Sequence, residues 1–296
     1  MRQTPPELCH LSEKKSVRAK VPVNDIQEFY DSYGRNEWQR LEESIDGRVE
    51  YEETVAALEK FLPDSGRVLD AGGGAGRYAL WLAERGYEVT LLDLSRRQTE
   101  LAREQAIDHG LVDSISVIQG SITDLPLQNK TFDAICCLGG PISHLLDERD
   151  RLQAVREFRR VSRSEAPVFV SVMGLLGMVQ LQLTTGYQVE LLPDLLEHGD
   201  LDESLLDEYG YKQSFAAAHF FRRKELINLL SDAGLTVTDV VGLEGLASLF
   251  HDEQVRENIS DFSESEIKAL KRTIRKTNDE RAVADVSVHM LGIGYA

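Results

Sequence analysis

The chain has 296 residues, with 50 Asp and Glu against 33 Lys and Arg, and a formal net charge of −17 at pH 7. That length suits one elaborated α/β domain, or one domain with a substantial insertion, and can bury a large core. An acidic chain without a basic stripe is a poor partner for nucleic acid or an anionic membrane, so neither is expected. With no apolar run of transmembrane length and no signal-peptide core, the chain reads as soluble and cytoplasmic. Cys9, Cys136 and Cys137 make no disulfide framework, and the adjacent pair lies in an apolar run as core strand residues do. Residues 1 to about 22 are polar and Pro-bearing and read as a loose arm. Helical spacing begins at Asn24, with Ile26, Phe29, Tyr30 and Tyr33. A second helix, Glu37 to Ile45, carries Trp38 and Leu41, and a third, Val49 to Phe61, is amphipathic and ends before Pro63. Residues 1–48 thus stand apart, as an arm and helical cap, from a domain over 49–296.

The most informative stretch follows. Val68-Leu69-Asp70-Ala71 is a short apolar run holding one acid, Gly72-Gly73-Gly74-Ala75-Gly76 is a turn, Ala75 to Arg85 is helical, and Glu88 to Leu92 leads to Asp93. The two strands are apolar enough to be covered on both faces. The glycines permit positive φ and let the backbone approach a ligand, while the helix directs its first N–H groups into the same space. A carboxylate at the end of the second strand is where a doubly wound sheet grips a ribose. A dinucleotide-binding turn, G-x-G-x-x-G/A, wants a small residue where Arg77 stands when counted from Gly72; counted from Gly74 that place is Ala79, but the turn then starts late and Asp70 is unexplained. The spacing Asp-x-Gly-x-Gly-x-Gly, made by Asp70, Gly72, Gly74 and Gly76, fits instead. It resembles motif I of the class I S-adenosylmethionine (SAM)-dependent methyltransferases, whose ligand brings an ammonium and a sulfonium and no phosphate.

Ser95 caps a helix running to His109, and Ile115 to Gln119 is the third strand. Gly120-Ser121-Ile122-Thr123-Asp124-Leu125-Pro126-Leu127 is similar to the adenine-lining segment of that family, with Ser121 where the family has Asp. A hydroxyl is a weaker partner for the adenine amino group than an ionised acceptor. Thr131 to Leu138 reads as the fourth strand and matches the family's Phe-Asp-x-Val/Ile pattern. The following loop, Gly139 to Leu146, lies at the carboxyl ends of the strands and makes His144 the first titratable side chain within reach of a substrate. Packing or capping against the next helix, Asp147 to Val161, is the other reading of His144. Pro167 to Met173 is the fifth strand. Residues 174 to about 218 are too long for a βα loop and read as a helical insertion, acidic as far as Glu208, which suits a cationic or amine substrate or is a solvated face. His219 precedes a helix ending at Ala233 with Gly234 as C-cap, then strand six, Thr236 to Gly242. A second insertion spans about 243–285 with a helix at Glu264 to Asn278, and Val286 to Tyr295 closes the chain as an alternating strand.

The passage from Glu225 to Val237 and the closing strand extend the resemblance, since a last strand set antiparallel beside strand six is the family's signature. The expected fold is α/β: a Rossmann-like doubly wound seven-stranded sheet with an antiparallel last strand, a helical N-terminal cap and helical insertions after strands five and six. The resemblance implies a SAM-dependent methyltransferase acting on a small-molecule acceptor by in-line displacement. It also implies that Asp70, Ala71, Gly72, Gly73, Gly74 and Gly76 hold the methionine end of SAM, and that Asp93 accepts the ribose hydroxyls. On the same footing Leu94 and Gln98 flank the adenine with Ser121 and Ile122 at its edge, Leu138 and Gly139 line the methionine side, and Tyr30 and Tyr33 close the lid. His144 and His219 are the candidate bases for an acceptor that must lose a proton. Leu138-Gly139-Gly140-Pro141 replaces the Asn- or Asp-Pro-Pro-Tyr of enzymes that methylate planar amino groups, no metal-ligand spacing appears, and a monomer or homodimer is expected. The rival readings are an NAD(P)-dependent dehydrogenase, disfavoured by Arg77 and the closing strand, and a non-catalytic SAM-binding sensor or scaffold.

Overall fold

A computed structural model describes residues 23–211 and 216–296; the expected loose arm over 1–22, with Cys9, lies outside the described residues. Three helices come first, α1 (Val23–Tyr33), α2 (Asn36–Glu43) and α3 (Ile45–Phe61). Ser44 separates the last two: its hydroxyl accepts from the Gly47 N–H, so the third helix starts one turn earlier than hydrophobic spacing suggests. An alternating run follows: β1 (Arg67–Ala71), α4 (Arg77–Ala83), β2 (Glu88–Asp93), α5 (Arg96–Asp108), β3 (Ile115–Gln119), β4 (Ala134–Cys137), α6 (Glu148–Val161) and β5 (Pro167–Met173). Helix α4 opens at Arg77 rather than Ala75 because Gly76 holds φ at +91°, outside helical space. Strand β4 is shorter than expected, Phe132 making only an isolated bridge to Ser162.

The first insertion contains α7 (Leu175–Thr185), α8 (Leu192–His198), β6 (Asp200–Leu201) and α9 (Glu203–Glu208), and is tied down by β7 (Ala218–His219), which pairs antiparallel with β6. It is helical as expected, apart from that two-residue ribbon. Next come α10 (Arg223–Asp232) and β8 (Thr236–Gly242). The second insertion is a 3₁₀ segment, Gly245–His251, then α11 (Glu253–Ser260), α12 (Glu264–Thr277) and α13 (Arg281–Asp285), before the closing β9 (His289–Tyr295).

The sheet order is β3-β2-β1-β4-β5-β9-β8. The first five strands run parallel, and β9 slots antiparallel between β5 and β8. This is the expected seven-stranded topology. Its strand order reverses between β1 and β4, which opens a crevice at their carboxyl ends. Successive residues serve opposite faces. Leu69 and Val168 pack with Val155, Phe158, Leu226 and Leu230 of α6 and α10. Val68 and Phe169 pack with Leu58, Leu82 and Ala102 of α3, α4 and α5. A separate apolar cluster, Leu191, Leu195, Leu205 and Phe220 around Met173, roots the first insertion on the end of β5.

Candidate active site

The end of β1 carries a fully buried carboxylate, Asp70, neither of whose oxygens has a hydrogen-bond partner among the described residues. Burial first, and the neighbouring charge of Asp93 second, raise its pKa to about 7; the Ala79 N–H opposes this without completing a hydrogen bond. The turn is wrapped around this group. A Cβ on Gly73 would stand 2.5 Å from Asp70 Oδ2, and one on Gly72, where φ is +75°, would stand 2.5 Å from Pro141 Cγ. Asp93, ending β2, is fixed from both sides: Oδ2 accepts from the Gly74 N–H at 2.9 Å and Oδ1 from the Ser95 N–H at 2.8 Å. A carboxylate oxygen can accept more than one hydrogen bond, so this anchoring is compatible with a ligand hydroxyl.

Beyond this floor lies a cavity of about 670 Å³, within the size range of small-molecule sites. Of the residues expected from sequence, Tyr30, Gly72, Gly73, Gly74, Asp93, Leu94, Gln98, Ser121, Ile122, Leu138, Gly139 and His144 line it. Asp70 and Ala71 lie beneath, in β1, and Gly76 faces Leu91 and Ala102. Tyr33 does not reach the cavity wall; it stacks on Phe29 with ring centroids 5.5 Å apart. Ser121 contributes a hydroxyl held 2.8 Å from Thr123 Oγ1. Gln98 lines the wall but spends its amide N–H groups on the Tyr30 and Gly34 carbonyls at 3.3 and 2.9 Å, which fastens the end of α1 over the cavity. Asp31 adds to this by accepting from Ser95 Oγ and the Arg97 N–H at the start of α5.

The two histidines differ. His144 is buried, with Nδ1 3.0 Å from the Ala217 carbonyl and Nε2 2.7 Å from the Tyr30 hydroxyl. A carbonyl can only accept, so Nδ1 carries the proton and Nε2 accepts from Tyr30. Burial lowers the pKa of this ring, keeping it neutral. His219 is not brought to the cavity. Its Nδ1 lies 2.5 Å from Asp200 and its Nε2 2.6 Å from Glu225, so both nitrogens are committed to carboxylates and neither is placed to take a substrate proton.

Several wall residues carry no signal in the sequence. Arg77, which there stands only as an obstacle to a dinucleotide, donates to the Trp38 carbonyl at 2.9 Å, pairs with Glu42 at 2.8 Å and sits 4.2 Å from the Trp38 ring centroid, locking α2 against the turn. Pro141, Tyr78 and four carboxylates, Asp147, Asp150, Asp200 and Asp202, also line the cavity. The acids of the first insertion are visible as a charge run, but nothing local tells which of them face inward.

Residues 68–165 match the family model of a methyltransferase domain. The chain is 32% identical over 148 residues to the methyltransferase GfsG of Streptomyces halstedii, covering 49% of this chain and 52% of that protein. It is 26% identical over 152 residues to the tRNA 5-carboxymethoxyuridine methyltransferase of Escherichia coli K12, covering 51% of this chain and 58% of that one. The chain thus spans little more than half the length of these curated relatives. Among solved structures, a SAM-dependent methyltransferase from Thermotoga maritima aligns over 91% of this chain and 99% of its own, at 18% identity and a TM-score of 0.52, a likeness of fold. Among the described residues no helix is long and apolar enough to cross a membrane.

Proposed function

We propose that the chain is a class I SAM-dependent methyltransferase that transfers the methyl group of SAM to a small-molecule acceptor held in this cavity, a reading supported by the match of residues 68–165 to the family model of a methyltransferase domain. The observation that carries the reading is the Asp70 carboxylate, buried and unpartnered beneath a glycine turn, whose natural complement is an ammonium. SAM supplies a methyl carbon already activated by its sulfonium. Asp70 and the Gly72–Gly74 backbone would hold its amino-acid end, Asp93 its ribose, and Leu94, Ser121 and Ile122 its adenine. The protein's own work is to align acceptor and donor, exclude water and, where the acceptor carries a proton, take it. Neutral His144 is suited to receiving that proton, because Tyr30 can pass its hydroxyl proton to Nε2 while accepting one from the acceptor.

The lining supports a small, uncharged or cationic acceptor. Arg77 is the only Lys or Arg among the described lining residues, and Glu42 already pairs with it, whereas four carboxylates face the cavity from α6 and the first insertion. A phosphate-rich polymer would meet the wrong sign of charge. Two measurements test the proposal. Calorimetry should show SAM and its demethylated product binding and NAD not binding. Radiolabelled methyl from SAM should appear in a panel of small amines and hydroxyl compounds and not in bulk tRNA. Label in tRNA alone would overturn the acceptor class, and tight NAD binding without SAM binding would overturn the whole reading.

A further inference from the structure

A second group of chemically capable side chains lies outside the cavity. Glu50 of α3, Glu244 just after β8 and His289 at the start of β9 are each at most 9% exposed, and one ligand atom from each falls within 4.8 Å of the others. His289 Nδ1 is 2.8 Å from Glu244 Oε1 and 3.6 Å from Glu50 Oε2. Donor atoms bonded at about 2.0–2.2 Å to one ion stand roughly 3–3.5 Å apart in octahedral or tetrahedral geometry, so this spacing is close to that of a preformed ligand set. The surroundings are those of an oriented metal carboxylate. The other oxygen of Glu244 is 3.2 Å from His251 Nε2 and accepts from Ser248 Oγ at 3.3 Å, and His251 Nδ1 lies 3.3 Å from Asp46 Oδ2. Asp46 is itself only 6% exposed, and its second oxygen, Oδ1, has no hydrogen-bond partner among the described residues.

We propose that Glu50, Glu244 and His289 form a binding site for one divalent first-row transition ion, which pins the N-terminal helix α3 to the second insertion and the closing strand. An imidazole nitrogen with two carboxylates favours zinc, manganese or iron over calcium or magnesium, which prefer all-oxygen shells. None of the three ligands lines the cavity, so the ion's part is structural, and the sequence expectation of no metal gives way to a cluster assembled from residues nearly 240 positions apart. Helix α3, which pairs with neither strand, would then be joined at one atom to the neighbouring ends of the paired strands β8 and β9. A site of this kind stabilises by mass action, since the unfolded chain scatters its ligands.

Chain prepared without metal-affinity purification and stripped with chelator should be titrated with zinc chloride, following heat, stoichiometry and melting temperature. The expected result is one equivalent bound per chain, a melting temperature raised by several degrees and reversed by chelator, and loss of both in Glu50→Gln and His289→Gln. Cobalt substitution should give d–d absorption of a nitrogen–oxygen site in the native chain and not in Glu50→Gln. SAM affinity should be the same in stripped and loaded protein, which separates this proposal from that for the cavity. Zinc binding that survives both substitutions, or a melting temperature indifferent to zinc, would show the cluster to be an ion network of protein groups alone and overturn the assignment.

Discussion

The Tyr30 hydroxyl lies 2.7 Å from His144 Nε2, joining two residues 114 positions apart across the mouth of the cavity. The bond couples the α1 cap to the loop after β4, and it occupies the one nitrogen of His144 that can accept a proton. Tyr30→Phe keeps the ring and so keeps the closed cap, while removing the donor. Unfolding measurements should register a loss of about 1–3 kcal/mol, the usual result of leaving a buried acceptor unsatisfied. With a hydroxyl acceptor, kcat should fall on the order of 10²-fold if proton transfer runs through this pair. An unchanged kcat would remove Tyr30 and His144 from proton transfer.

The proposed pairing of Asp70 with the ammonium of SAM predicts that SAM binding depends on pH. Burial and the Asp93 charge hold its pKa at about 7, so the unliganded protein carries it largely neutral in mild acid. The raised value means that its contribution to native stability is full below the ordinary carboxylate range and is lost as pH rises through about 7. A ligand ammonium favours the ionised form, so binding below that pH must release a proton. Affinity for SAM should therefore rise roughly tenfold per pH unit between about pH 5 and 7, and then level off. Calorimetry in buffers of different ionisation enthalpy should detect the released proton in the native chain and not in Asp70→Asn.

How much of this can be seen in the sequence depends on whether the responsible contacts are local. The strand–turn–strand from Arg67 to Asp93 is legible because acid, glycines and apolar runs sit within one supersecondary unit, and the topology follows from the alternation of elements. Tyr33 shares a helical stripe with Tyr30, which on spacing alone puts it in the lid, but its ring finds Phe29 on its own helix instead. His219 reads as a base because it precedes a helix near the carboxyl ends of the strands. Its role is decided by Asp200, 19 residues earlier on the two-residue ribbon β6–β7, which carries no periodic signal. Arg77 is informative in the sequence only in the negative, because its partners Trp38 and Glu42 belong to a helix that meets the turn solely in the folded chain. The Glu50, Glu244 and His289 cluster has no spacing motif for the same reason.

The turn's rigidity can be tested by comparing two glycines of similar backbone. Gly72 and Gly86 both hold positive φ, at +75° and +88°, but a Cβ meets Pro141 in the first and nothing within 4 Å in the second. Gly86→Ala should cost about 1–2 kcal/mol, the penalty of a left-handed residue. Gly72→Ala adds the clash and should cost roughly 2–5 kcal/mol while weakening SAM binding. Denaturant midpoints for the two variants measure the difference, and equal losses would mean that Pro141 yields freely.

His219 predicts a stability change on the alkaline side. Burial opposes its charge, but the hydrogen bonds to Asp200 and Glu225 outweigh burial and raise its pKa above the usual 6.5. Arg151, 3.8 Å from Glu225, competes for the same carboxylate and limits the rise. A histidine with a raised folded pKa gives its full stabilisation below the unfolded pKa and loses it as pH climbs through the folded one. The native chain should therefore lose melting temperature from about pH 6.5 upward by more than His219→Gln, which has no charge to lose. Asp70 titrates in both proteins, so its slope cancels in the comparison. Because Asp200 lines the cavity and His219 lies against it, deprotonating the imidazolium removes a positive charge near the acceptor, so the same pH range should tighten binding of a cationic inhibitor in the native chain and not in the variant. Parallel melting curves for the two proteins would show that the imidazole is neutral and shares only one hydrogen with its two acids.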